Sequence, residues 1–354
     1  MFLIYRGKMS RPTNLAPSPG CRSGAIDAVR VFGVAAVVAG HSLAFPFVRP
    51  LVYSWHVPLF FFLTGYFWSR DRDVRTELPA RGRTLGLPYV SWFVVIAFAF
   101  VPLDAQLEAM TPSRLIGPSY NGESSAMPYT TFWFVSALFA TALLMRFVSA
   151  LPWPVLWGLG VAGSIAGYLV GGALAQTPFA IGSAVPCLIF VLLGTLARTV
   201  RPRVTRSGLL GVALLAAGAA LVASGLALPL DIKQGNYGTP GLSVLIASAI
   251  SFGLILVAET IFAHLSPRVH RAATKLSRAG FVVVLAHPLV LWVLLTFTPG
   301  LPTLLVFGIT VTVPWLVGLV AVHSPAARWL TGGERVPDEL RRVRRRSGWR
   351  WRTG

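Results

Sequence analysis

The chain has 354 residues, of which 55% are hydrophobic and only 12% are charged, and its mean hydropathy is +0.67. This composition excludes an ordinary soluble protein and indicates an integral membrane protein. The net charge of +19 does not indicate nucleic-acid binding, because most basic residues lie between apolar segments and do not form one groove with interleaved aromatic residues.

The N-terminal segment, residues 1–23, contains basic residues, Pro and Ser. It has no apolar core of the kind that a cleaved signal peptide needs. We therefore predict a disordered cytoplasmic tail here. Cys21 falls in this tail and Cys187 falls in a distant apolar run, so the sequence predicts neither a disulfide nor a zinc site.

Apolar runs dominate the rest of the chain, and each has about the 20 residues that a helix needs to cross a bilayer. They lie near 24–45, 51–68, 84–103, 130–150, 153–172, 179–199, 207–230, 239–262, 279–298 and 301–322. We therefore predict an all-α, polytopic membrane domain over residues 24–322, with about ten transmembrane helices. An Arg-rich C-terminal tail follows over residues 323–354.

The basic residues predict the orientation of these helices. If the N-terminus is cytoplasmic, all of the 31 Lys and Arg residues lie in cytoplasmic segments except Arg30, Arg49, Arg114 and Lys233. This distribution follows the positive-inside rule. It predicts a multi-pass protein of the cell membrane, embedded in the lipid bilayer, with both termini in the cytoplasm. The Arg-rich tail would either bind anionic lipid or simply hold this topology.

The first apolar run carries three ionisable side chains, Asp27, Arg30 and His41. Each costs on the order of 3 kcal/mol to insert into a membrane, so each needs a partner or a function. Asp27 and Arg30 are three residues apart and therefore neighbours on a helix. Arg30 and His41 share one helix face at a separation of roughly 16 Å along the axis. This spacing indicates a path through the protein.

A second histidine, His56, lies near the predicted external end of the next run, at a depth similar to that of His41. A neutral imidazole can take a proton from a hydroxyl group at neutral pH. His41 is therefore a candidate general base, with His56 orienting it or binding substrate. The alternative is that each histidine only makes a hydrogen bond between helices.

Several motifs resemble those of the acyltransferase family 3 membrane proteins, and in particular the branch of sugar O-acetylases such as fucose 4-O-acetylase. The most specific is the first-run pattern of Asp, Arg and His. The others follow in the family's order: HVPLFFFLTGY at His56–Tyr66, a basic stretch ending in Pro-Tyr at Arg81–Tyr89, FWFVSALF at Phe132–Phe139, and LAHP at Leu285–Pro288.

The resemblance implies an O-acyltransferase that takes an acyl group, expected to be acetyl, from cytoplasmic acyl-CoA. The acceptor would be a hydroxyl of a cell-surface glycan or glycolipid. By this resemblance the catalytic residues are His41, Arg30 and Asp27. His41 is the base, Arg30 interacts with the donor or stabilises charge on it, and Asp27 neutralises Arg30. No metal is expected, because the six His residues are scattered along the chain.

The resemblance also implies substrate-binding roles for Arg81, Arg83 and His287. The two arginines would meet donor phosphates, to which guanidinium groups are well suited. Their alternative role is to maintain topology, and His287 would otherwise be a buried packing residue. The family often has two arginines separated by two residues before its Pro-Tyr, whereas in this chain only Gly82 separates Arg81 from Arg83.

Two other classes of function compete with this interpretation. A transporter or flippase would also explain a buried charge pair along a substrate path. A catalytically idle partner subunit is the third possibility. The sequence does not identify the acceptor, because the polar residues of the predicted external loops, such as Asp231 and Asn236, have no readable pattern.

Overall fold

A computed structural model describes residues 24–70, 74–107 and 126–334. The regular elements in these ranges are helices, apart from one isolated β-bridge between Asp231 and Asn236. The α-helices are α1 (Gly24–Ser42), α2 (Val48–Tyr53), α3 (His56–Tyr66), α4 (Val74–Arg81), α5 (Leu87–Ala105), α6 (Phe132–Val148), α7 (Trp153–Ala175), α8 (Ala184–Val200), α9 (Ser207–Ala223), α10 (Leu242–Phe262), α11 (Pro267–Phe297), α12 (Thr303–His323) and α13 (Ala327–Thr331). The predicted N-terminal tail, Arg114 and most of the Arg-rich tail lie outside the described residues.

Seven helical segments of the described chain are long and apolar enough to cross a membrane. They are Gly24–Ser42, Val74–Ala105, Trp153–Ala175, Pro178–Arg203, Leu242–Phe262, Pro267–Phe297 and Thr303–His323. The other three predicted runs coincide with shorter helices: α6 and α9 have 17 residues each, and α3 has 11. The all-helical, membrane-spanning class is confirmed, while the count of ten stays a prediction.

The second predicted run, 51–68, is divided into α2 and α3 by Ser54 and Trp55. The Trp55 backbone leaves the helical region, with φ near −152°. The Trp55 ring is buried and stacks on Phe32 of α1, with 5.4 Å between ring centroids. Hydrophobicity alone cannot reveal this break, because the residues on both sides of it are equally apolar. The break places His56 at the first position of α3.

Helix α1 lies inside the bundle and packs against α3, α10, α11 and α12. Its side chains that face these helices are almost fully buried, as at Val34 and Val38. The outer helices show the opposite pattern, since Phe98, Leu169 and Val320 are 80%, 77% and 72% exposed. Exposed apolar faces around a buried central helix are the arrangement that a lipid environment requires.

Helices α3 and α8 approach each other most closely at two glycines. A Cβ atom on Gly65 would collide with the Val191 carbonyl group, and one on Gly194 would collide with the Phe62 carbonyl group. Small residues allow membrane helices to bring their backbones together, which increases dispersion contacts where no hydrophobic effect drives association. These glycines therefore fix the position of α3, and with it the position of His56.

Segments predicted to be cytoplasmic meet at one end of the bundle. The buried carboxylate of Glu77 lies 3.5 Å from the guanidinium of Arg146, which stacks over the Trp68 ring at 3.8 Å. Arg198 donates a hydrogen bond to the Trp68 carbonyl group at 3.0 Å. These contacts join the segment after α3 to the ends of α6 and α8, all of which are predicted to be cytoplasmic. They place Arg146 at this end of the bundle.

The first part of the predicted C-terminal tail is folded against the bundle. After α12 ends at His323, α13 packs on α5, and the Trp92 indole N–H donates to the Leu330 carbonyl group at 2.9 Å. Gly332 then adopts a positive φ of 69° beside the Thr84 backbone, where a Cβ atom would collide. The described C-terminal segment thus lies at the same end of the bundle as the start of α5.

Candidate active site

His41 lies in the last turn of α1, where it lines a cavity of about 290 Å³. Its ring is adjacent to that of His287 on α11, with 5.4 Å between the ring centroids and 55° between the ring planes. His287 is fully buried, and its Nδ1 lies 2.8 Å from the Val283 carbonyl oxygen. Packing of α1 against α11 therefore brings together two histidines that are far apart in the sequence.

The hydrogen bond of His287 determines which of its nitrogens can accept a proton. A carbonyl oxygen only accepts, so Nδ1 must carry the hydrogen, and Nε2 holds the lone pair of the neutral ring. Nε2 is buried and makes no hydrogen bond within the described part of the chain. His287 can thus accept a hydrogen bond through Nε2 from a donor that approaches beside His41.

His56 also lines the cavity and is 2% exposed. Its Nδ1 lies 2.8 Å from the Val52 carbonyl oxygen, which fixes the same tautomer as in His287. The Tyr53 ring packs against it at 4.9 Å between centroids. Val52 and His56 are four residues apart across the break between α2 and α3, the same spacing as that of Val283 and His287. His41 and His56 therefore line one cavity, and His287 lies beside the His41 ring.

A loop between α9 and α10 closes the cavity and contributes Lys233. The Lys233 ammonium donates a hydrogen bond of 2.7 Å to the Thr130 hydroxyl, just before α6. Burial lowers the pKa of Lys233, while the neighbouring Asp231 carboxylate acts in the opposite direction. The cavity thus combines imidazole groups, which can accept a proton, with a cation that can stabilise a developing negative charge.

Arg49 of α2 and Asp231 of the same loop form an ion pair of 3.2 Å at the edge of the cavity. The Arg49 guanidinium also lies 4.9 Å from the centroid of the Tyr53 ring. The Arg49 side chain is 67% exposed, so the pair contributes at most about 1 kcal/mol to stability. This weak pair is the boundary between the cavity and its surroundings.

Asp27 and Arg30 lie towards the opposite end of α1 from His41, and they pair as predicted. Arg30 Nη1 donates to Asp27 Oδ1 at 2.9 Å, with Asp27 fully buried and the Arg30 side chain 32% exposed. The guanidinium lies 5.3 Å from the centroid of the Phe67 ring. Because α1 is continuous, roughly 16 Å of helix separates Arg30 from His41. The two residues therefore lie at different levels of α1 and do not contact each other.

Arg81 and Arg83 stand near the cytoplasmic end defined by Glu77 and Arg146. Arg81 Nε donates to Glu77 Oε1 at 2.8 Å, so its guanidinium already has a buried anionic partner. Arg83 is exposed on the π-helical turn Gly82–Gly86 between α4 and α5. The structure thus places both arginines far from the three histidines, and Arg83 is the one whose side chain faces the surroundings.

Sequence reasoning missed Lys233, Arg49 and Asp231 as site residues. Lys233 and Arg49 entered it only as exceptions to the positive-inside distribution. Their predicted external position could have indicated the site. A cation on the external side departs from the positive-inside rule, which suggests that a local interaction holds it there. Both cations line the cavity that contains His41.

A family model described as an acyltransferase domain matches residues 23–321, a range that contains every residue lining the cavity. No curated protein matches the chain, and no solved structure matches it.

Proposed function

The chain belongs to the acyltransferase family 3, and from this membership we propose that it is an O-acyltransferase with cytoplasmic acyl-CoA as donor and an external hydroxyl as acceptor. Membership makes it a membrane enzyme that transfers acyl groups other than aminoacyl groups. It also sets aside the transporter and flippase alternative. The expected acyl group is acetyl and the expected acceptor is a cell-surface glycan or glycolipid, as in the sugar O-acetylase branch.

The observation that carries the proposal is the cavity at the end of α1, where His41 is exposed to a space of about 290 Å³ beside two further histidines. A space of this size accommodates the reacting part of an acceptor and a short acyl group. The surrounding helices limit access of water, which strengthens electrostatic interactions within the site.

In the proposed reaction, His41 removes the proton from the acceptor hydroxyl as its oxygen attacks the thioester carbonyl carbon. The carbonyl oxygen becomes negatively charged in the tetrahedral intermediate, and the Lys233 ammonium stabilises that charge. The carbon–sulfur bond then breaks, and His41 returns its proton to the departing sulfur. The products are an ester of the acceptor and free coenzyme A, so atoms and charge balance.

The other two histidines would support this step. The lone pair of His287 Nε2 can accept a hydrogen bond from the protonated ring of His41, because the Nδ1 proton of His287 is committed to Val283. The Nδ1 proton of His56 is likewise committed to Val52, so Nε2 of His56 can accept a hydrogen bond from the acceptor in the cavity that His56 lines. His287 is then a positioning residue, and His56 is a substrate-binding residue.

The donor would enter from the end of the bundle that holds Arg30 and Arg83. Guanidinium groups bind phosphate oxygens in a bidentate manner. Of the predicted donor-binding arginines, Arg83 is exposed, whereas Arg81 is engaged by Glu77. The flexible arm of the donor would run along α1 past Arg30 to bring the thioester to His41, a distance of roughly 16 Å.

We propose that the ten predicted runs all cross the bilayer, with both termini in the cytoplasm. The contacts at the two ends support this topology. Predicted cytoplasmic residues meet at one end, as Glu77 and Arg146 do, and predicted external residues meet at the other, as Lys233 and Thr130 do. With the N-terminus in the cytoplasm, α1 would carry His41 to the external side, where the acceptor site would lie.

The test compares native protein with His41→Ala in membranes that contain matched amounts of each, supplied with deuterated acetyl-CoA. Mass spectrometry of glycans, glycolipids and small metabolites should detect a deuterated acetyl ester with native protein. Loss of a general base lowers the rate by about 10²-fold to 10⁴-fold, so His41→Ala should give almost no product.

The matched control is His264→Ala, because His264 is exposed in the connection between α10 and α11. It should transfer label at the native rate. Transfer by His41→Ala at the native rate would refute the role of His41. A native protein that labels no molecule in any host membrane would refute the proposed reaction itself.

A further inference from the structure

A second cavity of about 580 Å³ adjoins the cavity of His41. Its walls come from the connection between α1 and α2, from α2 itself, and from the loop between α9 and α10. Most of its lining is apolar: Leu43, Phe45, Pro46, Pro50, Leu228 and Pro229. This outer cavity is larger than the inner one and lies at the end of the bundle where we expect the external membrane surface.

The two cavities share four residues of their lining, Gly40, Arg49, Tyr53 and Asp231. The ion pair between Arg49 and Asp231 therefore stands where the outer cavity meets the inner one. Exposed ion pairs contribute little net stability, so this pair can separate without unfolding any helix. Only the weak contact between Arg49 and Asp231 therefore separates a molecule in the outer cavity from the space around His41.

We propose that the outer cavity binds the apolar part of an amphiphilic acceptor, whose hydroxyl passes between Arg49 and Asp231 to reach His41. This inference rests on the proposed function and narrows it, because the acceptor would be a hydroxyl compound attached to a lipid or another apolar group. A free sugar would not satisfy the site, since its hydroxyls would lie against apolar walls without hydrogen-bond partners.

The surroundings of the outer cavity agree with an acceptor that arrives from the membrane. Phe47 follows the lining residue Pro46 in the sequence, Leu226 precedes the lining residue Leu228 by two positions, and their side chains are 67% and 60% exposed. Phe45 and Phe47 stack on each other at 5.8 Å between ring centroids. Exposed aromatic and aliphatic side chains at a predicted membrane surface favour contact with lipid. An amphiphile can therefore move from the bilayer into the cavity without exposing its apolar part to water.

Protection of introduced cysteines tests binding without requiring acyl transfer. Leu228→Cys reports on the outer cavity and Val57→Cys on the inner one, in a Cys21→Ser background that retains the buried Cys187. The purified full-length variants in nanodiscs are labelled with a charged methanethiosulfonate reagent. Octyl β-glucoside, below its micelle concentration, is compared with methyl β-glucoside, which has the same sugar but no apolar chain.

Octyl glucoside should protect both cysteines at a concentration at least tenfold lower than methyl glucoside. A tenfold difference corresponds to about 1.4 kcal/mol, which burial of only about two methylene groups supplies. Leu304→Cys is the matched control, because Leu304 is exposed in the first turn of α12 and lines neither cavity. Its labelling should respond to neither glucoside.

Equal protection by the two glucosides would overturn the proposal, and so would absence of protection at Leu228→Cys. Protection at Leu228→Cys without protection at Val57→Cys would also overturn it, because the outer cavity would then hold only a lipid chain unconnected to the reaction. Since no outcome depends on acyl transfer, failure of this inference is distinguishable from failure of the proposed reaction.

The ion pair has a separate test in the same assay. Arg49→Gln should increase the labelling rate of Val57→Cys several-fold while leaving that of Leu228→Cys within twofold. Asp231→Asn should produce the same increase. Agreement between the two variants would show that the increase comes from loss of the ion pair and not from a folding defect in one variant. Unchanged labelling of Val57→Cys in both variants would show that the pair does not control passage between the cavities.

Discussion

Replacement of Lys233 by Met tests whether the cavity stabilises negative charge on the reacting carbonyl group. Met has a similar length and volume but carries no charge and donates no hydrogen bond. The Lys233 ammonium is held by the Thr130 hydroxyl at 2.7 Å, so its position in the cavity is defined before substrate binds. A charge that is already in place costs little reorganisation when the intermediate forms.

The magnitude follows from this geometry. Removal of one donor to an oxyanion typically lowers kcat by about 10²-fold to 10³-fold, which corresponds to roughly 2.7–4 kcal/mol. Lys233 is a single donor in a partly buried cavity, so Lys233→Met should fall within this range. The KM for the acceptor should change by less than about threefold, because the charge that Lys233 meets develops only in the transition state.

The assay measures initial rates of acetyl transfer in nanodiscs over a range of acceptor concentrations. Lys233→Arg keeps the cation and should retain more activity than Lys233→Met. Thr130→Val removes the hydroxyl that holds the ammonium but leaves the charge, so it should lower kcat by no more than about tenfold. These two variants separate the effect of charge from that of the contact between Lys233 and Thr130.

The pH profile gives an independent readout. Burial lowers the pKa of Lys233 from its ordinary value of 10.5, so the ammonium loses its proton at a lower pH than an exposed lysine does. The native kcat should therefore fall as pH rises through that lowered pKa. Lys233→Arg should keep its kcat in the same range, because an arginine stays protonated up to a pH of about 12.

Two results would refute this reasoning. A kcat of Lys233→Met above half the native value would show that the ammonium does not meet the developing charge. An equal loss in Thr130→Val and Lys233→Met, with no difference between the alkaline pH profiles of native protein and Lys233→Arg, would show that the contact only holds the loop in place.

Three further predictions concern other parts of the protein. Glu77→Gln removes the carboxylate charge that lies 3.5 Å from the buried Arg146 guanidinium and should destabilise the protein by about 3–5 kcal/mol, which thermal unfolding in detergent would detect as a lower Tm. Arg30→Ala should raise the KM for acetyl-CoA at least tenfold, whereas unchanged donor kinetics would exclude contact between Arg30 and the donor. Gly65→Ala should cost about 1–3 kcal/mol, because its Cβ collides with the Val191 carbonyl group; a native Tm would contradict this packing.

The features of α1 could be predicted because they depend on one helix alone. The spacing of Asp27, Arg30 and His41 sets their relative positions as soon as the segment is helical, and the ion pair forms at 2.9 Å as expected. The apolar runs were predictable for the same reason, since each is a local property of about 20 residues. Local patterns therefore gave the class of fold and one wall of the site.

The opposite wall could not be predicted from local patterns. His287 reaches His41 only because α1 packs against α11, and Lys233 reaches the cavity only because a loop folds back onto Thr130. The break before His56 was hidden as well, because it lies within a continuous apolar stretch. Each of these features depends on contacts between segments that are distant in the sequence, which hydrophobicity does not encode.

Water is the competing acceptor in any acyl transfer, and the site must favour a hydroxyl over water although both can lose a proton to His41. A base at the end of a membrane helix lies close to bulk water, so position alone does not give this preference. The apolar lining at Leu43 and Leu228 and the ion pair between Arg49 and Asp231 both lie between His41 and the surroundings. Under the proposed arrangement, an amphiphilic acceptor displaces water from this lining as it enters, so binding of the correct acceptor would itself exclude its competitor. Selectivity would then reside in the loops around the cavity, while the chemistry resides in α1.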